Sequence, residues 1–170
     1  MSNKIIVSTF LGVAVACFPA YSKKPAAVQN DAAFLAMAAQ ADMTTAHIGQ
    51  DAEDRAATSK VKDFAKTLAQ DHTSDYQSLS ELAGKLGESI PKAIDSRNDR
   101  AIAALDHYKG KTYDQMFLTH ESEQHERLIA AFKKEAEHGQ NPAIKAYASK
   151  ALPVIERHLH DAQDLLKNKA

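Results

Sequence analysis

Most of the glycines and prolines in this chain are gathered at a few places, Gly84-Gly87-Pro91, Gly110 and Gly139-Pro142, and the long stretches between them carry apolar residues spaced by threes and fours. That spacing puts the apolar side chains on one face of a helix. No stretch shows sustained alternation of β-branched residues, and no tandem repeat is evident. The chain is therefore predicted to be all-α.

The first helix is expected from Asn30, a good N-cap, to about Ala57, with Phe34, Ala38, Ala41, Thr45, Ile48 and Ala52 on its inner face. A second, capped at Thr58-Ser59, carries Val61, Phe64, Ala65, Leu68, His72, Leu79, Leu82, Ala83 and Leu86 on one face. A third opens at Thr112-x-x-Gln115, buries Phe117, Leu118, Leu128, Ile129, Phe132 and Ala136, and ends at His138-Gly139. Asn141-Pro142 starts the fourth, which buries Ile144, Tyr147, Ala148, Ala151, Ile155, Leu159, Ala162 and Leu165 and should bend at Pro153. Between Gly87 and Gly110 lies a connection too long for a tight turn, with a short amphipathic piece of its own, Ile102, Leu105 and Tyr108, behind the capping signal Ser96-x-x-Asp99. Four helices of about 27 residues, roughly 40 Å each and joined short, long, short, predict a ferritin-like four-helix bundle with one long crossover containing a short helix.

Residues 1–22 read as an export signal: Lys4 supplies a positive start, Ile5 to Ala16 an apolar run too short to span a bilayer, and Ala20-Tyr21-Ser22 a small-x-small cleavage site. The mature chain is expected to begin near Lys23, with a flexible segment over 23–29 ahead of the bundle domain at 30–170. A second reading makes Ala14-Val15-Ala16-Cys17 a lipoprotein site with Cys17 acylated, although such sites favour Leu where Ala14 stands. Cys17 is the only cysteine, so no disulfide framework can form. A formal charge of −1 with both signs interspersed gives no basic field for a polyanion, which excludes nucleic acid as a partner, and the mature chain has no transmembrane helix. The expected location is periplasmic or otherwise exported.

Each long helix carries one candidate histidine: His47, His72, His125 and His158, the last three interrupting apolar stripes. Counted at about 1.5 Å per residue from the short turns, with the crossover making the second and third helices parallel, all four fall roughly 20–27 Å above one end of the bundle. Imidazole suits Zn, Cu, Fe and Ni, and carboxylates stand one turn away, Asp51, Asp75, Glu121 and Asp161. His47, His72, His125, His158 and Glu121 are thus the candidate metal set, for Zn, Fe or Cu. The alternative is a neutral polar core in which these histidines bond to Asp, Thr or Tyr across helices. A di-iron carboxylate centre needs a Glu three residues before a histidine on each of two helices. The residues at those places are Ala69, Ser122 and Ile155, so a di-iron oxidase is not expected and no catalytic residue is assigned.

From Asn30 to about Leu166 the chain resembles the bacterial family named domain of unknown function 4142. The resemblance is carried by Phe34-Leu35 with Ala38-Ala39-Gln40, Val61-Lys62-Asp63-Phe64-Ala65, Asp71-His72-Thr73, Tyr113-Asp114, His125, and Leu152-Pro153 with His158-Leu159. It implies a ferritin-like fold, an exported or outer-membrane setting and matched positions at His72, His125 and His158, and it implies no established activity. Where the family pattern has a Glu in the first helix, this chain reads Thr44-Thr45-Ala46-His47, so no carboxylate role carries over there. The functional expectation is a non-enzymatic exported bundle of the cell envelope that is structural or acts by binding a metal, a cell-envelope component or another copy of itself. Its alternative is a periplasmic metal-binding or stress-related protein with a histidine-rich core.

Overall fold

A computed structural model of the chain describes residues 26–168. The expected export signal at residues 1–22, Cys17 and the expected start at Lys23 lie outside the described residues. Five helices follow one another: α1 (Ala26–Arg55), α2 (Ser59–Lys85), α3 (Ser96–Leu105), α4 (Gly110–His138) and α5 (Pro142–Lys167). Among the described residues there is no strand, and no helix is long and apolar enough to cross a membrane.

Helix ends depart from expectation where a better cap or a tertiary contact competes. α1 begins at Ala26, so residues 26–29 form helix ahead of Asn30 instead of a separate leader. α3 is capped by Asp95, not Ser96: its carboxylate accepts from the Arg97 and Asn98 backbone N–H groups, a charge-assisted bond that a serine hydroxyl matches poorly. α4 starts two residues before Thr112, after Lys109, without a side-chain cap. Thr58 precedes α2 but does not cap it with its own side chain; instead the buried Asp114 of α4 accepts from the Ala57 and Thr58 backbone N–H groups and from the Thr58 hydroxyl. Asn141 caps α5 as expected, and α5 runs on through Pro153 as one helix.

The apolar stripes are buried, with Leu82, Leu86, Ile129, Ala136, Tyr147, Leu159 and Leu165 only partly so. They form two separate clusters. One joins Phe34, Leu35 and Ala38 of α1 to Leu79 and Ala83 of α2, Leu128 and Phe132 of α4, and Ile144 to Ile155 of α5. The other joins Ile48 and Ala52 of α1 and Ala56 just beyond it to Val61 to Leu68 of α2, Tyr113 to Leu118 of α4, and Ala162 of α5. Each long helix thus passes from one cluster to the other. α1 and α5 run one way, α2 and α4 the opposite way, and the connection holding α3 traverses the bundle from Ile90 at the first cluster to Leu105 at the second. It is tied down by Gln40, bonded to Ala93 and Asp95, and by Tyr76, which donates to the Pro91 carbonyl.

Two glycines inside helices answer to different constraints. A Cβ on Gly49 of α1 would lie 2.8 Å from the Ala65 carbonyl oxygen and 3.0 Å from the Ala69 nitrogen of α2, so the two backbones approach through the missing side chain. A Cβ on Gly84 would meet nothing within 4 Å. Gly49→Ala should therefore lose stability: overpacking against backbone costs about 1–3 kcal/mol, more than the roughly 1 kcal/mol gained in helix propensity. Gly84→Ala should gain up to about 1 kcal/mol. Urea midpoints of the two variants give the answer, and a Gly49→Ala protein as stable as its parent would contradict the close packing of α1 on α2.

Candidate metal centre

Between the two apolar clusters lies a layer of buried polar side chains. His72 of α2, His125 of α4 and His158 of α5 meet there, 4 %, 0 % and 0 % exposed. Their ring centroids stand 5.5, 5.4 and 5.3 Å apart, a nearly equilateral triangle, and one nitrogen of each ring lies within 4.8 Å of the other two. α2 and α4 run parallel, so residues at similar distances from their starts reach the same level; α5 runs the other way and brings His158 down to it.

Each ring is held by the nitrogen that faces away from the triangle. His125 Nδ1 donates to the Glu121 backbone carbonyl one turn earlier at 2.8 Å, and because a carbonyl only accepts, Nε2 of His125 is left as a lone pair. His158 Nε2 donates to Asp71 Oδ2 at 2.9 Å, which leaves a buried Nδ1 with no partner. Asp71 also accepts from Arg157 at 2.8 Å. His72 Nδ1 lies 2.9 Å from Asp42 Oδ1, and its Nε2 is 3.4 Å from Nε2 of His125. Burial drives all three rings toward the neutral form. It brings His72 to about 4 against the pull of Asp75 and Asp71, and His158 to about 4 with help from His72. His125 falls to about 3, by burial first and then by its two histidine neighbours. Burial, with Asp75 nearby, raises Asp42 well above the usual carboxylate range, so the Asp42–His72 contact is a neutral pair and not an ion pair.

This donor set fits a transition metal. Ligating histidines characteristically give their second ring nitrogen to a carboxylate or a backbone carbonyl; His125 and His158 do so here, and His72 Nδ1 stands within hydrogen-bond distance of Asp42, which a ring with its hydrogen on Nδ1 would use in the same way. Two imidazole nitrogens bound about 2.0–2.1 Å from a tetrahedral ion stand about 3.3–3.4 Å apart, and the His72–His125 pair is at 3.4 Å. The three nitrogens suit Zn, Cu or Fe better than Mg or Ca, which take oxygen ligands.

Two of the five expected ligands are elsewhere. His47 is exposed, its side chain 48 % accessible, and reaches only Asp51 at 3.8 Å. It never belonged to the stripe of α1: it sits one residue from Ile48, a rotation of about 100° that turns it outward. Glu121 is fully buried but lies behind His125, with Oε2 3.6 Å from Nδ1, the nitrogen pointing away from the triangle. Both of its carboxylate oxygens lack a hydrogen-bond partner, and burial raises it to about 8. What α1 contributes is Asp42, which sequence reasoning passed over. Its signal was present, since it is four residues after Ala38 and three before Thr45, an acid on an apolar stripe. Asp71 was likewise missed, because the carboxylates one turn from the histidines, Asp75 and Asp161, drew attention instead. Asp75 accepts from the Tyr147 hydroxyl at 2.6 Å, and Asp161 lies 3.5 Å from His160 Nδ1.

A family model described as Domain of unknown function (DUF4142) matches residues 18–165, and the chain belongs to that family. No curated protein and no solved structure matches it.

Glu121 offers a clean test of the electrostatics of this layer. Its folded pKa, about 8, lies above that of the unfolded chain, near 4.5, so the folded form holds the extra proton and stability falls as pH rises from 4.5 to 8. Glu121→Gln keeps the shape without the titration. Denaturant unfolding at pH 5 and pH 8 should show the variant gaining on its parent with pH, by on the order of 3–5 kcal/mol at most. A difference that is constant with pH would mean that the carboxyl is not desolvated.

Proposed function

We propose that this member of the DUF4142 family is an exported, ferritin-like bundle protein that binds one transition-metal ion through His72, His125 and His158. The observation that carries the reading is the trio of buried rings whose inner nitrogens converge while every opposite nitrogen lies within hydrogen-bond distance of an oxygen. A core histidine serving only packing needs partners for its ring nitrogens. Here Nδ1 of His158 has none, and an ion at the centre of the triangle would supply it. The candidate ions are Zn, Cu and Fe.

Support for a ferritin-like arrangement comes from the four long antiparallel helices with one traversing connection and a polar layer at mid-height. Fold likeness assigns no reaction. Export rests on the composition of residues 1–22 alone and is tested by the mass of the mature N-terminus: cleavage after Ser22 supports it, an acylated Cys17 keeps export but moves the processing site, and a retained Met1 overturns it.

The metal reading is tested on protein stripped with a chelator and then offered Zn, Cu or Fe(II). One ion per chain is expected, with a rise in Tm; at a free metal concentration of about 100 times Kd the stabilisation is about 2.7 kcal/mol. His72→Ala, His125→Ala and His158→Ala should each abolish the rise, His47→Ala should leave it intact, and Asp42→Asn should weaken binding about 10–100-fold. Absence of stoichiometric metal together with an unchanged Tm would reject the reading.

The pH dependence carries a second signature. Ordinary histidines, titrating near 6.5, lose a metal to protons below that pH. These rings stay neutral in the folded protein down to about 4, so most of the metal-induced Tm rise should persist at pH 5.5. The same shifts set the stability of the metal-free protein. The unfolded chain binds more protons between pH 6.5 and 4, so the contribution of the three neutral rings is complete above 6.5 and is lost as pH falls toward 4. A metal-induced rise that vanishes at pH 6 would show that the binding histidines are solvated ones.

A further inference from the structure

The histidine triangle is not sealed. A cleft of about 430 Å³ runs between α2 and α5, and both His72 and His158 line it. His125 does not; it closes the site from α4, fully buried. Three protein nitrogens leave a four-coordinate ion one position short, and no carboxylate or further histidine of the described residues joins the group. Open-sided three-ligand centres differ in this respect from structural sites, which supply all four ligands from the chain.

We propose that the α2–α5 cleft admits an exchangeable fourth ligand to the ion held by His72, His125 and His158, and that this ligand is a small molecule with an anionic head. The proposal rests on the metal reading above and adds an open position, a route to it and a class of occupant. Three neutral imidazoles leave a divalent ion its full charge, which favours an anion at the remaining position. The charged residues lining the route are Asp71, Asp75, Lys150 and Arg157. Asp71 is paired with Arg157 and bonded by His158, while Asp75 accepts from the neutral Tyr147 hydroxyl and keeps its charge; with Lys150 the two acids and two bases of the lining balance in sign, so the route carries no net charge against an incoming anion. Ala151, Val154 and Ile155 make the rest of the wall apolar, and the volume exceeds what a triatomic anion fills, so a short organic body behind the head is accommodated. A second cleft, of about 470 Å³, reaches His72 between α1 and the crossover, but from the side where Asp42 stands, and touches no other ring of the triangle.

The experiment uses the purified chain loaded with Co(II), whose visible spectrum reports coordination, and azide as the probe anion. Cobalt should bind one per chain, and azide should then shift the spectrum saturably. Val154→Trp, which obstructs the cleft from α5, and Ser74→Trp, which obstructs it from the exposed side of α2, should each weaken azide at least tenfold without changing cobalt stoichiometry. His47→Trp, placed in the second cleft, should leave azide affinity within twofold of the parent. Stoichiometric cobalt with no azide response would overturn the open position while leaving the metal site standing. Azide binding weakened only by His47→Trp, or by neither cleft variant, would overturn the route. A chain that takes up no cobalt removes the metal reading itself, and the fourth ligand with it.

Discussion

The structure depends on a polar layer sandwiched between two apolar ones. His72, His125, His158, Asp42 and Glu121 are all within 4 % of complete burial, at the level where an ordinary bundle would carry Leu and Ile. Taking such groups from water costs several kcal/mol each unless they are bonded, and the layer answers by two means. Its groups are held neutral, the histidines by lowered pKa values and the carboxyls by raised ones, and the imidazoles are chained to oxygens on their outer nitrogens. The flanking clusters, with Phe34 edge-on to Phe132 and Tyr147 at one end and Tyr113 stacked parallel to Phe117 beside a tilted Phe64 at the other, supply the apolar burial that offsets what remains.

The layer also explains the close pairing within each half of the bundle. α1 lies tightly on α2 through Gly49 and a run of buried alanines, which brings the Asp42 carboxyl within bonding distance of His72. Had α1 carried larger residues at these positions, the two backbones would stand apart and Asp42 could not reach the ring. Asp114, buried in α4, serves the second apolar layer in the same way by holding the α1–α2 turn through three hydrogen bonds. Small residues and buried acids thus set the height at which the imidazoles meet, and a side chain added far from the triangle can move it.

Helix number, helix register and the inward phase of three histidines could be read from the chain because each follows from one-dimensional periodicity. Val61 to Leu86 determines where His72 points, and Ile144 to Leu165 does the same for His158. Periodicity also showed that His47 lies off its stripe, yet matching the four histidines by height alone grouped it with the others; height without phase is half of a position. What periodicity does not contain is a partner on another helix. The stripe of α1 marks Asp42 as inward-facing but not what it bonds to, and nothing local distinguishes Asp71, so their ring partners thirty and eighty-seven residues away became visible only when α1 and α5 were laid on α2. The cap missed at Asp95 has a related cause: several polar residues compete at a helix start, and the crossover's attachment to Gln40 selects among them.

A neutral polar core and a metal centre make different demands on the same three rings. The Glu121 carbonyl fixes His125 as a donor through Nδ1, so Nε2 can only accept, and it faces Nε2 of His72 at 3.4 Å. If Asp42 keeps its proton and gives it to His72 Nδ1, then His72 carries its hydrogen on Nε2 and can offer it to His125, and that pair is satisfied without an ion. The same proton economy does nothing for His158. Its Nε2 is committed to Asp71, and its Nδ1 is buried, lone-paired and unmatched by any donor in the layer. Two rings therefore have an answer in hydrogen bonding alone, and the third has one only if something with an empty orbital or a hydrogen to give occupies the space between them. Being placed on the wall of the α2–α5 cleft, His158 is also the ring that such an occupant would meet on its way in.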